Sequence, residues 1–222
     1  GVQDGRFCET IQEEFVLAMM AEEIALLFHR QQLEIELYRR TGRSFQDFFE
    51  LIMQKHDSSF VAVKPMGREG DWKADGFSTA TGTVYQCYAP EQMTARESVA
   101  KLKDDLHGAR EHWREKMRAW VFVWSAASAL PPQVVGALAE LTAAHRELAI
   151  GHMGREGLWQ IVRSLTEVDR VALLGAVPEV ADALRTTAAE IQVLMRHLGK
   201  HTAQLAPEAD FDLTAIGEKL SR

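Results

Sequence analysis

Apolar positions along the chain change their spacing several times, and each change marks an element. Residues 8–40 carry Ile24, Leu27, Phe28, Ile35 and Tyr38 near helical period, with neither Gly nor Pro between them. That pattern predicts one long helix. Thr41-Gly42-Arg43-Ser44 interrupts it, and Ser44 is the predicted N-cap of a second helix. On that helix Phe45, Phe48, Phe49 and Ile52 fall at i, i+3, i+4 and i+7, a face to bury. His56-Asp57-Ser58-Ser59 ends it. The spacing then shortens: Phe60–Lys64 reads as a strand closed by Pro65 and Gly67, and Ala74–Ser78 as a second. Thr81-Gly82 supplies a hairpin turn into a third strand, Thr83–Ala89, which stops at Pro90.

A helix is predicted over 94–116, with Val99, Leu102 and Leu106 on its apolar face. Trp120-Val121-Phe122-Val123-Trp124 is almost continuously apolar, as a strand covered on both faces must be. Pro131-Pro132 opens a helix that runs to His145, and Leu148–Met153 is a fifth strand. Beyond Arg155 the pattern is helical over 158–165, 167–175 and 179–198; a linker with Pro207 follows, then a helix over 212–220 that reads as unfinished. The expected fold is therefore α/β. It has an N-terminal helical arm (1–43), an α-β-β-β-α-β core (44–153) and a C-terminal helical region (154–222) that is cut short. The opening Gly1 in place of Met suggests a cloning scar or a trimmed chain. The arm is either a coiled-coil or homodimer element or packing for the core.

Composition narrows the class. No apolar run approaches the roughly 20 residues that cross a bilayer, and residues 1–20 lack the marks of a secretory signal. Two cysteines, Cys8 and Cys87, make no disulfide framework, so a reducing cytoplasm is expected. The net charge of −7 argues against a surface coated for nucleic acid. Residues 60–120 are the exception, with ten Lys/Arg against nine Asp/Glu, whereas the rest of the chain has fifteen against twenty-three. DNA, if bound, is expected at that middle segment.

The densest chemistry lies in Gly67-Arg68-Glu69-Gly70-Asp71-Trp72-Lys73-Ala74-Asp75-Gly76 and Tyr85-Gln86-Cys87-Tyr88-Ala89-Pro90. With the order helix, hairpin, third strand, helix, strand, these residues resemble the PD-(D/E)xK, or restriction-endonuclease-like, core. The resemblance implies a Mg²⁺ (or Mn²⁺) site in which Asp75 and Gln86 are ligands. It also implies a lysine two residues after Gln86, to orient or activate water. Strand alternation is consistent with this: Gln86 and Tyr88 share one face, Tyr85 and Cys87 the other, and a hairpin partner brings Asp75 alongside. One carboxylate, one amide carbonyl and the backbone carbonyl of Cys87 make an oxygen half-shell suited to Mg²⁺.

The chain departs from the pattern at the lysine, where Tyr88 stands; a tyrosine is neutral near pH 7. Lys103, Lys101 and Lys73 are the candidate substitutes, in that order. Asp71 is a second acid or a loop cap, and Glu50 a further acid or a solvated helix position. Asp75-Gly76 can also be read as a turn, and Cys87 as a small buried strand residue. The histidines show no zinc-like spacing, and Trp113, Trp120 and Trp124 read as core.

A narrower resemblance, through Lys64-Pro65-Met66-Gly67, Asp75-Gly76-Phe77 and Tyr85-Gln86-Cys87-Tyr88-Ala89-Pro90, is to domains of bacterial phage-defence proteins of the ABC-three-component type. It implies defence-system protein partners and makes Tyr88 a subfamily feature. Two functions follow as expectations. One is a Mg²⁺-dependent endonuclease. The other is an inactive descendant of the same fold that binds protein or nucleic acid.

Overall fold

In the computed structural model, residues 3–64, 72–92, 94–125 and 129–178 are described. Residues Gly1–Val177 make one compact unit and Pro178–Arg222 another; every element named below belongs to the first. The helices expected at 179–198 and 212–220, and Asp71, lie outside the described residues.

The elements run α1 (Gln3–Arg39), α2 (Gly42–His56), β1 (Phe60–Ala62), β2 (Gly76–Ser78), β3 (Thr83–Tyr88), α3 (Ala95–Trp113), β4 (Ala119–Trp124), α4 (Pro132–Ala144), β5 (Ala149–Met153), α5 (Arg155–Ser164) and α6 (Glu167–Leu174). The strands form one sheet in chain order. β1, β2 and β3 are an antiparallel meander, and β4 and β5 join parallel to β3 through α3 and α4. Only β2 therefore runs against the others.

Side-chain alternation divides the core into two layers. Val84, Tyr88, Trp120, Phe122 and Trp124 face Leu102, Leu106 and Ala109 of α3 and Val134, Ala137 and Leu138 of α4. Cys87 and Val123 face Phe45, Phe48, Phe49 and Ile52 of α2, Leu33 and Leu37 of α1, and Leu158, Trp159 and Val162 of α5. The apolar run of β4 is thus covered on both sides, as its composition requires. α5 and Leu174 of α6, which fall in the expected C-terminal region, pack into the same core as the sheet.

Two expectations need correction. α2 begins at Gly42 rather than after Ser44: the Ser44 hydroxyl instead accepts the Thr41 N–H at 3.1 Å and donates to the Thr41 carbonyl at 2.8 Å. On α1 the buried stripe includes His29, Leu33 and Leu37, while Ile24, Leu27, Ile35 and Tyr38 are exposed. Regular spacing identified the helix correctly, but two apolar stripes compete along it and spacing alone does not say which one the core takes.

Candidate functional site

β3 outruns β2. Their pairing extends only from Ser78 opposite Thr83 to Gly76 opposite Tyr85. Past that point Cys87 has no β2 strand residue for its N–H, and the Asp75 side chain takes the place: Oδ2 accepts the Cys87 N–H at 2.7 Å. Asp75 is held from both sides, its N–H donating to the Tyr85 carbonyl at 2.8 Å and its carbonyl accepting the Val63 N–H at 3.1 Å. In a strand the N–H and C=O of one residue point to the same side. The Cys87 carbonyl therefore points to the same side of β3 as its N–H, the side on which the Asp75 carboxylate lies. Extending the β2–β3 register by one residue sets Asp75 across from Gln86.

Gln86 alternates onto the α3 face and is 4% exposed, and its Oε1 has no hydrogen-bond partner. A buried amide oxygen without a donor is costly, about 1–3 kcal/mol, and is the kind of group that a cation satisfies. Carboxylate, backbone carbonyl and amide oxygen are all hard ligands, so this donor set fits Mg²⁺. Among the described residues no group of three or more His, Cys, Asp or Glu side chains converges as a metal site. Any ion held here would thus depend on amide and backbone oxygens.

Glu50 is not a solvated helix position. It is 8% exposed on the inner side of α2, paired with the Lys64 ammonium at 3.1 Å. Burial foremost, and then the charges of Asp75 and Glu50, push the Cys87 thiol well above its usual range. Cys87 is therefore a neutral buried thiol, and the two acids lie near it. Lys64 was not anticipated as a partner of this group; its proximity depends on β1 ending beside α2.

Tyr88 fills the lysine slot with core. Its ring stacks on Phe122 at 5.5 Å between centroids and lies 5.7 Å from Trp124, and its hydroxyl meets Ser98 Oγ at 3.5 Å. The candidate lysines divide into two groups. Lys103 turns to α4, 3.4 Å from Glu140. Lys101 and Lys73 instead meet at one carboxylate, Asp105 Oδ1, at 2.5 and 3.3 Å, and Lys73 also reaches Asp104 at 2.5 Å. Because Lys73 is two residues from Asp75, this cluster lies on the Asp75 side of α3. Lys103 does not join it.

Asp105 was missed by sequence reasoning. It is fully buried, its Oδ2 lacks a partner, and burial raises its pKa against the opposing pull of Lys101 and Lys73. The available signal was an acid set beside the apolar stripe of α3, one turn after a lysine. The turn that delivers Lys73 is strained: Trp72 and Lys73 both have left-handed backbones, with φ of 53° and 56°. Such conformations persist where surroundings over-determine them. Here the Trp72 ring stacks on His112, its carbonyl accepts the Trp113 Nε1–H at 3.2 Å, and Lys73 lies against Gly108, where a Cβ would meet its Cγ at 2.6 Å. The hydrogen bond to Asp104 raises the Lys73 pKa, so it is a fixed cation rather than a base.

Asp75 and the C-terminal ends of β3, β4 and β5 share one edge of the sheet. A cleft of about 410 Å³ opens along that edge beyond β4 and β5, lined by Trp124, His152, Arg155 and Glu156 among others. No family model matches the sequence, and neither a curated protein nor a solved structure matches it.

Proposed function

We propose that this chain carries a restriction-endonuclease-like PD-(D/E)xK domain that hydrolyses DNA phosphodiesters with Mg²⁺ or Mn²⁺. Its setting would be a prokaryotic anti-phage defence protein with further protein partners. The observation that carries the reading is the Asp75 carboxylate seated on the Cys87 backbone, with the unpartnered Gln86 oxygen one residue away. The succession α2, β1, β2, β3, α3, β4 supports the fold side of it.

In this reading Asp75, Gln86 Oε1 and the Cys87 carbonyl hold the ion, which when bound polarises the phosphate and activates water. Lys101, tethered by Asp105, supplies the cation that Tyr88 displaces, and Lys103 is a surface residue. The strained turn at Trp72-Lys73 fixes the approach of Asp75. DNA lies along the C-terminal edge of the sheet, where open α/β sheets bind ligands.

The test is cleavage of plasmid and linear DNA with Mg²⁺ or Mn²⁺. Asp75→Asn and Gln86→Ala should each cost about 100-fold or more, the usual scale for removing one stabilising group. Lys101→Ala should be impaired, and Lys103→Ala should cut normally. Cleavage that survives Asp75→Asn sinks the assignment. A second reading, a non-catalytic module of the same fold, is favoured by the burial of Tyr88 in an aromatic stack. Salt-dependent DNA binding without cleavage under any metal would select it.

A further inference from the structure

Two buried acceptors between β3 and α3 have no donor: Gln86 Oε1 and Asp105 Oδ2. Contacts at both ends of that layer fix how strand and helix lie. At the end of β3, Ser98 Oγ meets the Tyr88 hydroxyl at 3.5 Å. At its start, Phe77, the cross-strand partner of Val84, stacks on Trp113 with ring centroids 4.6 Å apart. The helix thus runs back along the strand, from the level of Tyr88 to that of Val84. Gln86 stands midway between those two residues, and Asp105 midway between Ser98 and Trp113, so the two are level.

Their sideways placement agrees. Val84 and Tyr88 face α3, and so by alternation does Gln86. Asp75 extends the β2–β3 register to a position opposite Gln86, and residues opposite one another in a sheet share a face. Asp105 Oδ1 lies 3.3 Å from the Lys73 ammonium, and Lys73 is two residues from Asp75. The Asp105 carboxylate is therefore on the β2 side of α3, over the Asp75–Gln86 pair. Lys101 and Lys73 both take Oδ1, which leaves Oδ2 for something else. Two acceptors cannot satisfy each other, whereas one cation satisfies both.

We propose that Asp105 Oδ2 is a further ligand of the ion assigned above to Asp75 and Gln86. The inference rests on that metal reading and adds a second carboxylate to it, from a helix rather than a strand. A second carboxylate strengthens the hold on a divalent cation, since ligand charge tunes affinity. It also ties the lysine to the metal. Lys101 donates to Oδ1 of the same carboxylate at 2.5 Å, so one side chain sets the place of both cations.

The experiment is calorimetric titration of the 222-residue chain with Mg²⁺ and with Mn²⁺, in the absence of DNA. Asp75→Asn and Asp105→Asn should each weaken binding by about tenfold or more, at least the scale for losing a supporting partner of a ligand. Lys101→Met should bind the ion as the parent does, because it keeps the carboxylate. In the parent, the ¹³C resonance of the Asp105 side-chain carboxyl should move as Mg²⁺ is added, a reading that needs no variant. If Asp75→Asn weakens binding while Asp105→Asn binds like the parent, Asp105 is no ligand and the Asp75–Gln86 reading stands. Equal weakening by Lys101→Met and Asp105→Asn overturns the proposal too, since the pair then acts only by shaping the helix. A carboxyl resonance that Mg²⁺ leaves unmoved has the same meaning. A parent that binds neither ion overturns both readings together.

Discussion

Asp105 is a carboxylate kept inside a helix–sheet layer with one oxygen on two lysines and the other on nothing. Its pKa is raised because burial outweighs the lysines. The folded state therefore takes up its proton more readily than the unfolded chain does. Below the unfolded value, about 3.9, both states are protonated and the group costs nothing. As pH rises the unfolded chain ionises first, so stability falls until the folded group also ionises, and the loss persists above that point. Asp105→Asn should accordingly be more stable than the parent at pH 7. The difference should vanish below about pH 4 in denaturant titrations. The same variant should cut DNA poorly if Lys101 acts through this tether. A stabilising change that damages activity is the signature of a residue kept for function.

At the scale of elements, β3 shows why the lysine slot cannot simply be refilled. Tyr88 lies in the layer between β3 and α3, against Phe122 and Trp124. Tyr88→Phe keeps the stacking and loses only a long contact to Ser98, so it should cost less than about 1 kcal/mol. Tyr88→Lys buries an ammonium without a partner and should cost about 3 kcal/mol or more. A gain of cleavage by Tyr88→Lys at preserved stability would show that the slot faces substrate instead. Much at this scale was legible in advance. β4 declared itself by an unbroken apolar run, and Cys87 by its smallness on a covered strand. What was not legible depended on distant partners. Glu50 looks solvated until β1 brings Lys64 to it, and Asp105 looks like one more surface acid until the turn at Trp72-Lys73 closes over α3. The alternation that assigned Gln86 and Tyr88 to one face needed no such information, because it is local.

For the whole molecule, the fold groups the candidate ligands but leaves an acceptor unsatisfied, and this has a thermodynamic consequence apart from catalysis. An ion bound only by the folded chain stabilises it by RT ln(1 + [L]/Kd), about 2.7 kcal/mol at a hundredfold excess over Kd. Mg²⁺ should therefore raise the melting temperature of the parent in a concentration-dependent way. Asp75→Asn and Gln86→Ala should lose that increase, whereas Lys103→Ala should keep it. A Mg²⁺-induced shift that persists in Asp75→Asn would place the ion elsewhere. This readout separates metal binding from turnover, so it distinguishes an intact site lacking its lysine from a site that no longer exists.

The substitution of a side chain for a strand partner at Cys87 has one more consequence. The proton on that amide nitrogen lies between the sheet and the Asp75 carboxylate. Its nuclear magnetic resonance frequency is set by how much electron density that oxygen lends it. Anything that competes for the oxygen, whether an arriving cation or an acid proton, should move this one resonance while leaving the strand amides bonded only to backbone nearly still. The molecule thus carries a built-in spectroscopic gauge of its candidate site, readable in the unmodified chain and in the absence of any substrate.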